Sequence, residues 1–458
     1  MPDLRKAAIE FAHTNRDRFL EELSELIAIP SISADTAYRK DIQRAAEWLS
    51  EKLKGLGFEN IQIMPTAGLP LVYGEYLKAG KDAQTMMVYG HYDVQPADPV
   101  EQWDSSPFEA SIRGDRLYGR GATDMKGQVI ASLAAVEAVL QSGGSSVNIK
   151  FFFEGEEEVG STGLDAAIIE NKELFAADFA LNPDAGMLSA TLPTITYALR
   201  GLAYFELHLS GPSHDLHSGL YGGTVLNPAN ELARLIGGMH DAEGRVLLPH
   251  FYDSVRELDD EERKDMARLP HDDTFITEQT GVEILHGEKG YSSAERASGR
   301  PTLDVNGLLS GYIGEGAKTV LPAKAMAKIS CRLVADQDPE EVHKQLIEYV
   351  DENIHPSMTW EVILHSKAVA SISEKDSKAI QAMSKAMKEI WSTDPIFRRE
   401  GGTIPVVGYF QDLLGVESVL TGFGLPEDRM HSPNESLHLP TWEKGIDALI
   451  HFIYNVGE

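Results

Sequence analysis

Three short apolar runs, Thr85–Tyr89 (TMMVY), Val147–Phe153 (VNIKFFF) and Asp178–Leu181 (DFAL), each stop at a polar cluster, and this pattern constrains the fold most. Between the first two, Val129, Ile130, Leu133, Val136, Val139 and Leu140 recur at helical spacing, and Gly143-Gly144 follows as a stop signal. Strands that alternate with helices cross over into a mixed, largely parallel sheet covered by helices on both faces. Phe19–Ile29 reads as a further amphipathic helix, ended by Pro30.

From Gly201 the texture changes. Leu202–Leu209 alternates as a half-exposed strand does, Asn227–Met239 reads as a helix, Ala325–Val334 as a strand, Pro339–Ile354 as a helix and Met358–Leu364 as a strand. After Ala368 the α/β texture returns, with a helix at Ser377–Trp391, a strand at Ser418–Gly422 and a last helix from Thr441. A chain of 458 residues exceeds the size at which one core keeps growing. The prediction is a discontinuous α/β domain over 1–200 and 369–458, with a two-layer α+β domain inserted over 201–368. The acidic run Glu257–Glu262 reads as a solvated helix face.

Composition narrows the function classes. A formal charge of −30 is repelled by phosphate backbones and anionic lipid, which disfavours nucleic-acid and membrane-surface partners. No stretch approaches the roughly 18 unbroken apolar residues of a membrane span. The single cysteine, Cys331, cannot form an internal disulfide, and the first residues, MPDLRKAAIEF, show no apolar leader. Both point to a cytoplasmic protein.

The chemistry gathers where the strands stop. The first run enters Gly90-His91-Tyr92-Asp93, where alternate residues share a face, so Asp93 can orient His91 as a metal ligand. That pair alone is a weak signal and fits a structural histidine better. Asp124, in Gly121-Ala122-Thr123-Asp124-Met125-Lys126-Gly127, precedes a predicted helix and also reads as its N-cap. After the FFF run comes Glu154-Gly155-Glu156-Glu157-Glu158, four carboxylates in five positions, which repel unless cations neutralise them. Asn182-Pro183-Asp184 and Met430-His431-Ser432-Pro433-Asn434-Glu435 complete the set. In open α/β sheets ligands collect beyond the carboxyl ends of the strands, where all five clusters can converge.

His91, Asp124, Glu158, Asp184 and His431 supply two imidazoles and three carboxylates. That set is too large for one tetrahedral zinc and suits two divalent ions sharing a bridging carboxylate. Their surplus positive charge lowers the pKa of a bridging water and creates a hydroxide nucleophile. A carboxylate that is not a ligand must then carry the proton, and the Glu157-Glu158 pair can split these roles.

GHYDVQP, LYGRGATDMKG, EGEEEVGS, NPD, DLHSG, GAKTVLP, REGGTIP and MHSPNE, in this order, resemble the M20 family of dinuclear metallopeptidases, nearest its cytosolic dipeptidase and carnosinase branch. The resemblance spans nearly the whole chain, including LIAIPSIS at Leu26–Ser33, and implies a zinc-exopeptidase-like catalytic domain with an inserted lid and dimerisation domain. It implies that His91, Asp124 and Asp184 hold one metal and Asp124, Glu158 and His431 the other, zinc first, with manganese or cobalt as alternatives. Glu157 matches the general base, Asp93 the carboxylate behind the first ligand, and the Asp124–Met125 peptide is implied to be cis. His217 matches a histidine that reaches the partner subunit's active site in a homodimer and stabilises the oxyanion. Arg332 and Thr319 match groups that bind the substrate's terminal carboxylate, and Gly401, Gly402 and Thr403 match a loop closing over the substrate backbone.

The implied activity is hydrolysis of dipeptides or short peptides. An N-acyl-amino-acid or desuccinylase-type amidohydrolase on the same scaffold is the alternative, and a noncatalytic peptide-binding module is a second. Glu156 adds a charge beside the implied catalytic pair, and the stretch 251–300 matches no motif.

Overall fold

The computed structural model of the chain describes residues 4–269 and 272–458. Residues 1–3, where the segment read for a leader begins, and residues 270 and 271, within the unmatched stretch 251–300, lie outside the described residues. The described chain forms two compact units. One comprises the chain through Tyr197 with Ser373–Arg398 and Ile404–Glu458, and the other Ala198–Ile372 with Arg399–Thr403.

The first unit is built on a mixed sheet. Its principal strands are β1 (Glu59–Met64), β2 (Leu71–Tyr76), β3 (Thr85–His91), β4 (Asn148–Glu154), β5 (Phe179–Asn182), β6 (Thr194–Leu199) and β7 (Ser418–Leu420). They lie in the order β1-β2-β4-β3-β5-β7-β6. The four central strands β4, β3, β5 and β7 are parallel, whereas β1, β2 and β6 join antiparallel, so the parallel character is confined to the centre. The central strands therefore all end at one edge of the sheet, and His91, Glu154 and Asn182 are the last residues of β3, β4 and β5.

The FFF run shows why the centre is buried on both faces. Phe151 and Phe153 stack on one side with centroids 5.0 Å apart, while Phe152 on the other meets Phe175 at 5.0 Å and Phe410 at 5.2 Å. Burying such a ring stabilises the fold by about 1.5–3 kcal/mol. The helix Lys126–Gln141 is buried around its whole circumference. Its first residue hides its ammonium by donating from Nζ to the carbonyls of Leu26 (2.9 Å) and Ile29 (2.7 Å). At Gly127 a Cβ would come 2.1 Å from the Ala122 carbonyl, so only glycine lets the chain turn there from the loop into the helix. The helix expected to end at Pro30 runs Arg16–Ile27. The residue before a proline is pushed away from helical geometry, which stops it early.

The second unit has an antiparallel four-stranded sheet in the order 302–310, 324–333, 201–210, 359–368. One face carries Phe205, Leu207, Ile329, Cys331 and Leu333 against Leu232 and Leu235 of helix Pro228–Gly237 and Val342, Leu346 and Val350 of helix Pro339–Asn353. The strand Thr302–Ser310 is an addition to the expected strand and helix order. Gly307 sits at a register shift and Leu308-Leu309 breaks the alternation, so the sequence carries no period-2 signal there.

The acidic run is exposed at Glu257, Asp259, Asp260 and Glu261, as a solvated face would be, and departs from that expectation at Glu262. Asp259 caps the helix Asp260–Met266 with a reciprocal Glu262 contact. Glu262 is itself buried and paired with Arg399, rather than lying on a solvated face.

Candidate metal centre

Two histidines converge on one carboxylate. His91 Nε2 lies 3.1 Å from Asp124 Oδ1, and His431 Nε2 lies 2.8 Å from Asp124 Oδ2. Asp184 Oδ1 is 3.7 Å from His91 Nε2, and Glu158 Oε2 is 3.2 Å from His431 Nε2. The five residues thus form two overlapping triads, His91-Asp124-Asp184 and Asp124-Glu158-His431, with donor atoms in each triad within 4.8 Å of one another. Asp124 belongs to both. It does not cap the helix after it; Met125 occupies that position, and the Asp124–Met125 peptide is cis, as the family resemblance implies.

Each donor is delivered by a strand end or a tight loop. His91 closes β3 and Asp184 follows β5 by two residues, its backbone N–H held by Asn182 Oδ1 at 2.9 Å. Beyond β4 the chain enters a single 3-10 turn, Glu157–Val159, which Gly160 ends in the left-handed region. Glu156 precedes this turn, with φ −147°, and its side chain leaves the site. It is buried and accepts the Leu69 N–H at 2.9 Å, with burial pushing its carboxyl up to about 7. Glu154 is also turned away, accepting from Tyr89 and Ser161, and burial pushes it up to about 8. The charge repulsion expected of four carboxylates is therefore shared by two that face inward and two that are sequestered.

Asp93 does more than stand behind His91. His91 Nδ1 is 3.0 Å from the Asp93 carbonyl and 3.4 Å from its carboxylate. The carboxylate accepts the backbone N–H groups of Glu157 at 3.2 Å and Glu158 at 3.1 Å. Gln95 was not singled out from sequence, yet its Nε2 donates to Glu158 Oε2 at 2.9 Å. A neutral amide beside a charged cluster leaves no sequence signal.

Protonation follows from this crowding. Burial lowers the His91 imidazole, but Asp184, Asp124 and Asp93 outweigh it and hold the group well above its ordinary value. The hydrogen bonds that His431 donates to Asp124 and Glu158 raise it to about 10. Asp124 is held below the usual carboxylate range by the two imidazoles, against the opposing effect of burial. Glu157 is raised by burial and by Asp184, Glu154 and Glu158, with His91 opposing. Glu157, Glu158 and Asp184 are raised by burial and by neighbouring carboxylates, a crowding that bound cations would relieve. Glu158 Oε1 has no hydrogen-bond partner among the described residues. Two imidazoles and three carboxylates in overlapping triads fit two divalent cations sharing Asp124.

The remaining sequence-predicted residues lie in the second unit. His217 Nδ1 accepts the Gly219 N–H at 3.0 Å. Thr319 is exposed and its carbonyl accepts the Ser218 N–H at 3.0 Å, next to the two-residue pairing of His217 with Val320. Cys331 points into the core, so its neighbour Arg332 points outward, donating from Nη1 to Thr403 Oγ1 at 3.0 Å. Thr403 donates onward to the Arg200 carbonyl at 2.5 Å, and Arg200 Nε to the Gly401 carbonyl at 3.2 Å. A Cβ on Gly401 would meet the Ala297 carbonyl at 2.4 Å, whereas one on Gly402 would meet open space. Only the first glycine is required by packing.

No described helix is long and apolar enough to cross a membrane. The profile of Peptidase family M20/M25/M40 matches residues 87–455. The chain is 32% identical to the Cys-Gly metallodipeptidase DUG1 of Candida albicans, over 97% of this chain and 95% of that protein. It is 29% identical to the Beta-Ala-His dipeptidase of Homo sapiens, over 100% and 94%. Among solved structures, the M20 family metallo-carboxypeptidase Sso-CP2 from Sulfolobus solfataricus superposes with a TM-score of 0.83 at 33% identity, covering 96% of this chain and 99% of that one.

Proposed function

The chain belongs to peptidase family M20/M25/M40 and is a dinuclear metallopeptidase; from that footing we propose that it hydrolyses dipeptides or short peptides with a free carboxyl terminus. The overlap of the two donor triads on Asp124 carries the reading. The relatives named for dipeptidase and carboxypeptidase activity support the substrate class.

His91, Asp124 and Asp184 would hold one cation and Asp124, Glu158 and His431 the other, zinc first, with manganese or cobalt as alternatives. When bound, such ions supply Lewis-acid activation of water and of the scissile carbonyl. Glu157 takes the proton of the attacking water and returns it to the leaving amine, a role suited to a carboxyl whose pKa is raised. Asp93 fixes the His91 ring and, through its two backbone contacts, the turn that carries Glu157.

Arg332 and Thr319 bind the terminal carboxylate, for which the guanidinium fork is geometrically suited, and Gly401, Gly402 and Thr403 line the substrate backbone. His217 of the partner subunit donates to the oxyanion. Because Nδ1 accepts from Gly219, the neutral ring carries its proton on Nε2, free to donate. A homodimer through the inserted domain is supported by its edge strand, where Leu308 is 65% and Leu309 54% exposed, with Ile313 beyond it at 84%. The lone buried Cys331 supports a cytoplasmic location.

A screen of free dipeptides against N-acyl amino acids, with zinc, manganese and cobalt each supplied, tests the proposal. Turnover of dipeptides is the expected result. Cleavage of N-acyl amino acids alone would overturn it in favour of the amidohydrolase reading.

A further inference from the structure

Glu435 is completely buried, and both its carboxylate oxygens are fully engaged by the loop that presents Asp124. Oε2 accepts from Arg120 Nη1 at 2.6 Å and from the Gly121 N–H at 3.0 Å. Oε1 accepts the N–H groups of Thr123 at 3.0 Å and of Asp124 itself at 3.1 Å. The Glu435 carbonyl takes a further N–H, that of Gly119, at 3.0 Å. One residue therefore hangs the whole 119–124 turn from the segment that carries His431.

The other side of this tie is equally specific. Arg429, His431 and Asn434 have φ of 58°, 59° and 63°, left-handed backbone that persists in non-glycine residues only where the surroundings hold it. Asn434 Oδ1 accepts the Asp104 N–H at 2.8 Å and its Nδ2 donates to the Gln102 carbonyl at 3.0 Å. Asp428 adds a parallel link, accepting from Thr123 Oγ1 at 2.9 Å and Arg116 Nη1 at 2.6 Å. The segment 428–435 and the turn 119–124 are thus tied into one hydrogen-bonded piece, with Asp124 and His431 set on it 2.8 Å apart.

We propose that Glu435 is a positioning residue of the metal centre, setting Asp124 against His431 so that the triad Asp124-Glu158-His431 is ready for its cation. It touches neither the donors' ligating atoms nor substrate, and acts through the backbone of Asp124. Asp124 serves both triads, whereas His431 serves one and Asp184 and His91 come from β5 and β3, outside this piece, so both cations feel the change and the one held with His431 feels it more. This rests on the five donors being a two-cation site.

The test is a calorimetric titration of the whole metal-stripped chain with Mn²⁺ alone, comparing the natural protein with Glu435→Gln. The substitution keeps the shape but turns an NH₂ donor toward either Arg120 and Gly121 or Thr123 and Asp124, all of them donors. One Mn²⁺ equivalent is expected to weaken by about 10–100-fold, and the other by a clearly smaller factor. Activity should return as Mn²⁺ is raised. Arg120→Gln, which breaks the same ion pair from the other side, should reproduce the split and serves if Glu435→Gln fails to fold. Glu137→Gln, at a buried ion-pair cluster with Arg18 and Lys52 away from the site, should leave both equivalents unchanged. Unchanged affinities in the folded Glu435→Gln and Arg120→Gln proteins, or an equal loss of both equivalents, overturn the role of Glu435. Uptake of fewer than two equivalents by the natural protein would instead overturn the two-cation reading beneath it.

Discussion

Asp93 Oδ1 accepts the backbone N–H of Glu157 at 3.2 Å. The same carboxylate lies 3.4 Å from His91 Nδ1, so a single buried group joins the end of β3 to the turn after β4. The ring that points at Asp124 and the carboxyl proposed as base are thereby set by one anchor.

Replacing that anchor should disturb both partners at once. Asp93→Asn offers one acceptor oxygen where two are used and places an NH₂ against a backbone N–H. Metal affinity is expected to fall by about 10–100-fold, the range for groups that orient a ligand. Equilibrium dialysis against Mn²⁺ reads the change, and a variant binding as tightly as the natural chain would exclude the anchoring role.

Glu157 makes the sharper prediction for chemistry. Glu157→Gln removes the proton carrier but leaves all five donors in place. Turnover is expected to drop by about two to four orders of magnitude while elemental analysis still finds two metals per chain. Near-normal rates on every accepted dipeptide would take the proton-transfer role away from this residue.

The strand ends were legible because burial and chemistry change together there. A both-faces-buried run such as VNIKFFF has to stop where the chain meets solvent, and the polar residues that follow are forced to one edge of a parallel centre. What the sequence hides is direction within a turn. Glu154, Glu156, Glu157 and Glu158 look alike in sequence, yet the first two are bonded to Tyr89 and Leu69 and only the others face the donors. Glu262 was hidden for the same reason, since an acidic residue in a charge run gives no sign of its burial against Arg399. The edge strand Thr302–Ser310 lacked a signal because its outer residues are apolar and Gly307 breaks its period.

Metal uptake should depend steeply on pH. In the metal-free protein His431 holds its proton up to about 10, and His91, Asp184 and Glu158 are all raised, each by neighbours or burial. A ligand must be deprotonated to bind, so every raised pKa is a proton that the metal has to displace. Apparent affinity is therefore expected to fall as pH drops and to climb toward pH 10, by up to about tenfold per pH unit for each proton displaced. Mn²⁺ titrations at pH 6, 7.5 and 9 check the sign, and a flat profile would contradict it.

The last prediction concerns the proposed homodimer. If the oxyanion donor comes from His217 of the partner subunit while Glu157 acts within its own chain, no single defective chain need abolish every site in a mixture. His217→Ala and Glu157→Gln proteins should each be nearly inactive alone. Mixed under conditions that exchange subunits, they form heterodimers in which one site combines an intact Glu157 with an intact His217, and the other lacks both. Random exchange of equal amounts places half of the dimers in that state, each with one working site of two, so activity should recover to about a quarter of the natural level. Sizing by light scattering before and after mixing establishes that dimers are present and exchange. Recovery absent from a mixture with proven exchange would place His217 within its own chain's site, or outside the chemistry altogether.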